Sequence, residues 1–367
     1  MKILHIENGR NLYGGPQQVL YLANGLKGRG IINVVVCQPG SLLSIKLKES
    51  GIEVINLACR GEWDIFYLLR LIRVIQSEKP DIIHAHSRKG ADFLGGLASC
   101  FLSKKSVLSR RVDSIEPKFI SSLIYGLFNK VVAISENIFQ IILSQNIDEK
   151  KVSLIRSSVE TSVFDNQRNR DYVNKLYGIS KNDFVLVAIG QLIPRKGYPC
   201  LINVMFSLNK IYSNMKLLIF GKGKMEASLK NLVTKKKLEE NVIFCGYSPI
   251  LDEFLTHFDL MVHPAKNEGL GVSVLKASAA GLPVVAYDVG GVPEVVLDGV
   301  TGLLAKRDNR DQLKKNIEYL YKNKDFRDSC AKAGKQRMID HFKVEEMINK
   351  HIRLYENTIN ERYRYDS

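Results

Sequence analysis

Short apolar segments rich in β-branched residues alternate along this chain with amphipathic stretches long enough to be helices, and that alternation leaves few folds open. In the first part the strand-like segments are Lys2–Ile6, Ile32–Cys37, Glu53–Asn56, Asp81–His86, Lys105–Leu108 and Lys130–Ile134, with helical stretches such as Pro16–Lys27, Asp64–Ser77 and Ala91–Leu102 between them. Repeated βαβ alternation implies a parallel sheet covered by helices on both faces. The pattern breaks over Ser157–Asn182, which is polar and irregular, and restarts with Phe184–Gly190, Lys216–Phe220, Asn241–Phe244, Leu260–His263 and Pro283–Tyr287. The expected fold is α/β: two Rossmann-like doubly wound domains, 1–165 and 166–344, facing each other across a cleft. A last helix, from about Ile339 to Glu361, follows them.

The 367 residues suffice for two such domains, and 45% hydrophobic against 25% charged residues excludes wholesale disorder. The 53 Lys and Arg against 38 Asp and Glu leave a net charge of +15, spread over both parts without a basic tail. That balance suits a polyanionic partner, whether nucleotide, anionic membrane or nucleic acid. Cys37, Cys59, Cys100, Cys200, Cys245 and Cys330 show no CxxC or finger spacing and read as reduced thiols of a cytoplasmic protein. The opening MKILHIENG turns polar too soon for a signal peptide, and no apolar run approaches a membrane span. The protein is therefore expected to be soluble or peripheral.

In doubly wound sheets ligands bind beyond the carboxyl ends of the strands, so the loops that follow strands are where chemistry is expected. Asn8–Pro16 (NGRNLYGGP) follows the first strand. Gly14 and Gly15 let backbone approach a ligand, Pro16 suits a first helical turn, and the free amides of that helix end suit a phosphate or sugar oxygen. The segment is not GxGxxG, and a plain glycine turn fits it equally. In Asp81–Ser87 (DIIHAHS), His84 and His86 stand two apart and so face one side of a strand. His86 falls at the carboxyl end, where substrate contact is expected; His84 reads as structural, and a metal site would need further ligands at set spacing.

Gly190–Gly197 (GQLIPRKG) brackets Arg195 and Lys196, two cations able to neutralise a diphosphate. For Arg195 alone a solvated surface cation is the simpler reading, whereas Lys196, beside Gly197 and a helix start, points to phosphate. Lys266–Ala286 (KNEGLGVSVLKASAAGLPVVA) is more informative. Glu268 lies in a strand-to-helix loop where its carboxylate can hold sugar hydroxyls. Gly269, Leu270 and Gly271 would present backbone N–H groups and a helix dipole to a phosphate. Lys276 lies a little over one turn into that helix, placed for phosphate or for solvent alike. The glycine turns at Gly290–Gly291 and Gly299–Gly302 read as structural punctuation. Lys118–Lys130 (KFISSLIYGLFNK) is expected to be an ordinary core-facing helix, with an anionic membrane surface as the alternative.

Taken in order, Gly14-Gly15, the HAH of His84–His86, GQLIPRKG, Glu268–Gly271, GLPVVA at Gly281–Ala286 and GGVPEVV at Gly290–Val296 resemble the retaining nucleotide-sugar glycosyltransferases of family 4, which have the two-Rossmann GT-B architecture. The resemblance covers nearly the whole chain. It implies an acceptor-binding first domain, a donor-binding second domain and a last helix, about 345–367, that crosses back to the first. It places Gly15 near the donor phosphate or sugar, His86 on the sugar, Lys196 on the diphosphate and Glu268 on the transferred sugar. Two positions depart from the family pattern: Gln191 stands where an arginine is common, and Lys276 where the second glutamate of E-x7-E would meet the ribose. An ammonium donates where a carboxylate accepts, so Lys276 is expected to take part of the phosphate role or to donate to ribose oxygens.

The activity so implied is transfer of a hexose-type sugar, with retention, from a nucleotide-sugar to a glycan or glycolipid hydroxyl. The setting is bacterial lipopolysaccharide or envelope polysaccharide assembly at the inner face of the cytoplasmic membrane. His86, Lys196 and Glu268 are the expected catalytic residues, and Gly14, Gly15, Gln191, Arg195, Gly269, Leu270, Gly271 and Lys276 the donor-binding ones. Arg88, Arg110 and Arg111, which follow strand ends, are the expected acceptor contacts. No cofactor or metal is expected, since protein cations replace it and no DxD-like acidic pair stands in a suitable loop. A relative that binds sugar nucleotides without turnover and an epimerase of the same architecture are the alternatives. Nucleic acid is not an expected partner, because the chain lacks a basic-aromatic repeat or a binding motif.

Overall fold

The computed structural model describes residues 1–86, 90–165 and 169–361. The chain divides into two units, 1–158 with 344 onward, and 159–343, so the divisions fall a few residues before those expected. In the first unit β1 (Lys2–Glu7), β2 (Ile32–Cys37), β3 (Glu53–Asn56), β4 (Ile82–Ala85), β5 (Lys105–Arg110), β6 (Lys130–Ala133) and β7 (Val152–Leu154) form a parallel sheet of order β3-β2-β1-β4-β5-β6-β7. The second unit carries β8 (Phe184–Ile189), β9 (Met215–Phe220), β10 (Val242–Gly246), β11 (Leu260–His263), β12 (Val284–Asp288) and β13 (Gly302–Lys306), ordered β10-β9-β8-β11-β12-β13. Both sheets are parallel and covered on both faces, which is why their strands read as unbroken apolar runs such as Phe184–Ile189.

Each sheet winds outward in both directions from one pair of strands, β1 and β4 in the first unit, β8 and β11 in the second. At such a reversal the flanking loops part and leave room for a ligand beyond the carboxyl ends. Glu7, Asn8 and His86 stand there in the first unit, Gly190 and His263 in the second.

Local chemistry explains the helices that frame these edges. Asp64 caps the helix Ile65–Glu78 by accepting from the Tyr67 amide at 2.9 Å, and Tyr67, Leu71 and Ile75, spaced one turn apart, form its buried stripe. The final helix, Val344–Asn360, belongs to the first unit. It packs beside the helix Gly14–Lys27, where Ile348 occupies the space that a Cβ on Gly25 would need. Its buried Tyr355 reaches His84 Nδ1 at 2.6 Å. No helix among the described residues is long and apolar enough to cross a membrane.

One expectation fails. The helix Lys118–Gly126 buries Ser121 and Tyr125, while Phe119 (79%), Ile120 (43%) and Leu123 (49%) lie exposed. Ser121 and Tyr125, one turn apart, are its buried residues, and the other apolar side chains lie off that line. The glycine turn expected at Gly299–Gly302 is present, and it leads directly into β13, a glycine-led strand that the apolar pattern does not mark.

Gly302 pairs with Val284, and a Cβ there would be driven into the Val284 carbonyl oxygen, a backbone atom of a buried strand that has no room to give. Gly302→Ala should therefore destabilise the second unit by about 1–3 kcal/mol in denaturant unfolding. A loss below about 0.5 kcal/mol, the level of an ordinary surface substitution, would contradict this packing.

Candidate active site

In the second unit the site is built by two loops that follow adjacent strands. Gly190 follows β8 with φ +155°, and Gly197, with φ +72°, turns the chain back over the strand ends. A Cβ on Gly197 would collide with the Pro264 carbonyl oxygen, so the loop needs glycine both for its dihedral and for this close approach. The turn Pro194–Lys196 thereby points the buried Lys196 inward. The second loop, behind β11, is stitched to the first: the Lys266 amide donates to the Arg195 carbonyl at 2.8 Å, and Arg195 Nη1 to the Asn267 carbonyl at 3.2 Å.

These contacts place Glu268 between two basic side chains. Its Oε2 is ion-paired with Lys196 Nζ and lies 3.0 Å from His263 Nε2. The side chains are only 13%, 11% and 3% exposed for Glu268, Lys196 and His263. Burial alone would raise the Glu268 carboxyl, but the Lys196 charge and the His263 hydrogen bond outweigh it and hold the group well below the usual carboxylate range. Burial also lowers His263, against the pull of Glu268, so the imidazole is neutral at physiological pH and donates from Nε2. The cluster is a carboxylate and an ammonium of cancelling charge beside a neutral donor.

Immediately after Glu268 the helix Val272–Ala279 begins, entered through Gly271 at φ +94°. Among the described residues the amides of Gly269, Leu270 and Gly271 donate to no backbone carbonyl. They open onto the positive end of the helix, an arrangement suited to an anion or a sugar oxygen. The Gly291 amide donates to the Glu268 carbonyl at 3.1 Å, so the GGVPE turn braces this loop from behind. Gln191 stands half-buried at the β8 edge, and Arg195 is exposed.

Lys276 does not face the Glu268 cluster. Its Nζ lies 2.6 Å from Asp252 Oδ2, a residue of the short turn Leu251–Glu253. The charge at this spot is therefore balanced by a carboxylate from another segment.

In the first unit a second group collects at the β1/β4 edge. His86, buried, lies 2.9 Å from His5 through Nε2 and 3.5 Å from Arg111 through Nδ1. Arg111 also covers Gly15, where a Cβ would come within 3.4 Å of its Cδ. Burial pushes the Arg111 guanidinium down to about 10, against the opposing charge of Glu7. Gly14 opens the same helix as Gly15. Arg110 is turned into its own loop, donating to the Val112 and Ser114 carbonyls and pairing with Glu116 at 3.0 Å, so it organises residues 112–116 and does not reach outward. Arg88 lies outside the described residues.

His5, His84 and His86 have ring nitrogens within 4.8 Å of one another, close enough to share an ion. Five of those nitrogens have close partners: His5 meets Asn33 and His86, His84 meets Tyr355 and Ser109, and His86 Nε2 meets His5, while His86 Nδ1 faces Arg111 at 3.5 Å. A buried guanidinium at the edge of the group further disfavours a cation there.

The structure thus brings Gly15, His86 and Arg111 together in one unit, and Lys196, Glu268 and the 269–271 amides in the other. His263, His5 and Asp252 were not singled out from sequence. His263 ends β11 as His86 follows β4, so the strand-end rule applied evenly would have found it. His5 shares the strand face of His84 across β1, but Asp252 carries no motif.

Chain similarity agrees with this architecture. Residues 13–163 match the family model described as Glycosyltransferase Family 4, and residues 170–337 match Glycosyl transferases group 1. The N-acetyl-alpha-D-glucosaminyl L-malate synthase of Bacillus anthracis is 22% identical over 80% of this chain and 79% of its own length. The UDP-Gal:alpha-D-GlcNAc-diphosphoundecaprenol alpha-1,3-galactosyltransferase of Escherichia coli is likewise 22% identical over 80% and 79%. The solved structure of Anabaena HepE in complex with UDP-glucose superposes with a TM-score of 0.86 at 19% identity, covering 97% of this chain and all of that one. With one half matched to the Family 4 model, the other to the group 1 model and the two-Rossmann GT-B fold in place, the chain belongs to the family 4 type of glycosyltransferases.

Proposed function

We propose that the chain transfers a hexose-type sugar, with retention, from a nucleotide-sugar donor to a hydroxyl of a glycan or glycolipid in envelope polysaccharide or lipopolysaccharide assembly. The observation that carries this reading is the Glu268 carboxylate, kept ionised by Lys196 and His263 at the mouth of a helix with open amides. An ionised carboxylate accepts from two sugar hydroxyls at once, and Lys196 with the helix amino terminus neutralises a leaving diphosphate. In front-face displacement the departing phosphate oxygen takes the acceptor proton, so the protein supplies positioning and positive charge in place of a nucleophile. In this reading the Lys196 ammonium and the helix amino terminus take the place of a metal at the diphosphate.

Because Lys196 and Glu268 cancel, each is exposed as a net charge once the other is removed. Lys196→Ala and Glu268→Gln should each lower kcat/KM by about 10²–10³-fold in a radiolabelled nucleotide-sugar transfer assay. Activity within about twofold of the parent would sink the site assignment.

Lys276 and Asp252 act as a unit in this reading. Asp252 supplies the carboxylate for the ribose hydroxyls and Lys276 is its counter-ion, a division of labour supported by their 2.6 Å contact. Lys276→Glu sets two carboxylates against each other, and Asp252→Asn removes the acceptor charge. Each should weaken donor affinity about tenfold, one charge-assisted hydrogen bond; unchanged affinity in both variants defeats the assignment.

A lipid-borne acceptor is supported by Phe119, Ile120 and Leu123, exposed on one helix next to Lys118, in a chain of net charge +15. Apolar residues flanked by cations suit the surface of an anionic bilayer. The chain should sediment with phosphatidylglycerol vesicles and less with phosphatidylcholine ones. Phe119→Glu with Leu123→Glu should abolish that binding and leave donor affinity intact, whereas equal sedimentation of parent and variant would exclude this surface.

A further inference from the structure

The hydrogen bonds around His86 form a directed chain that starts in the main chain. Asn33 Nδ2 donates to the Ile31 and Ala23 carbonyls at 2.9 and 3.3 Å, which fixes the orientation of the amide and leaves Oδ1 as its acceptor. His5 Nε2, 3.1 Å from that oxygen, must carry a proton. Burial holds His5 neutral, with a pKa lowered to about 4 despite the Asn33 bond, so its Nδ1 is a bare lone pair. His86 Nε2, 2.9 Å from that lone pair, must then be the N–H. Burial, with His84, His5 and Arg111 around it, keeps His86 neutral as well, and its Nδ1 is left as an acceptor facing Arg111.

We infer that His5 and Asn33 are positioning residues that lock His86 in its Nε2–H tautomer, so that His86 meets substrate as a hydrogen-bond acceptor at Nδ1. This deepens the transferase reading, in which His86 lies on the sugar, and gives that contact a sign: the group it takes is a donor, a hydroxyl and not a phosphate oxygen. The chain of bonds ends on an amide carbonyl, which cannot take up a proton, so charge cannot leave through it; the array is a clamp and not a proton exit. The other groups packed on His86 leave this assignment intact. His84, with its ring centroid 3.7 Å away, directs its nitrogens to Tyr355 and Ser109, His351 Nδ1 donates to the Met347 carbonyl, and Glu7 acts on Arg111.

The test is a long-range 1H–15N correlation spectrum of the full chain with ring-labelled histidine, the His86 signal being identified by its loss in His86→Gln. The expected result at pH 7 is a neutral His86 carrying its proton on Nε2. Two variants separate hydrogen bonding from packing. His5→Asn keeps an acceptor near the Nδ1 position and should retain the tautomer, whereas His5→Phe keeps the ring volume, removes the acceptor and should release it. In transfer assays kcat should fall about tenfold in His5→Phe and be largely restored in His5→Asn. A role in packing alone predicts the reverse order. A parent His86 that is charged or carries its proton on Nδ1, or a tautomer indifferent to both variants in folded protein, would overturn the inference. The spectra read the tautomer without turnover, so failure of the transferase reading would leave this result standing.

Discussion

Burying a carboxylate is expensive unless it is paired, and in the second unit the arrangement at the end of β11 follows from that constraint. Glu268 remains an anion because Lys196 and His263 close on the same oxygen. Lys196 reaches it because Gly197 adopts a dihedral that only glycine accepts easily and passes against the Pro264 carbonyl. The two loops are joined by main-chain bonds at Arg195 and Lys266. A reactive arrangement of this kind is set before substrate arrives, and preorganised charge is what makes electrostatic stabilisation effective in catalysis.

The first unit solves a different problem. Its β1/β4 edge gathers His5, His84, His86 and Arg111 in a buried space where charged imidazoles would be unstable. Burial keeps those imidazoles neutral, and hydrogen bonds fix how each ring is turned. Tyr355 of the last helix serves His84, which ties that helix to the strand carrying the site. The two edges therefore differ in chemistry: an ion pair of cancelling charge in one unit, and neutral imidazoles beside the Arg111 guanidinium in the other.

Much of this was legible in the sequence because both sheets are buried on two faces, so apolar runs mark strands, and loops after strands mark sites. His86, Lys196 and Glu268 were found by that rule. What was not legible depends on side-chain geometry between distant segments. Asp252 has no motif and gains meaning only through Lys276, 24 positions away. Arg110 and Arg111 are neighbours in sequence, yet one turns into its own loop, held by Glu116 and the Val112 and Ser114 carbonyls, and the other to the strand edge. The helix Lys118–Gly126 was expected to face the core, and only the packing shows that Ser121 and Tyr125 are its buried residues while Phe119 and Leu123 are exposed. The strand β13 was hidden by its leading glycine, whose absent Cβ is what lets it pair with Val284.

The central claim is that the ionised Glu268 cluster and the adjoining helix mouth form a donor site. Calorimetric titration of the intact chain with UDP, GDP, ADP and CMP and their common sugar conjugates, first with chelator and then with magnesium, tests it most directly. The account predicts saturable binding of one nucleotide-sugar series, tighter for the sugar conjugate than for the bare nucleotide and unchanged by the chelator. Absence of binding by every nucleotide, or binding that requires the metal, would contradict it.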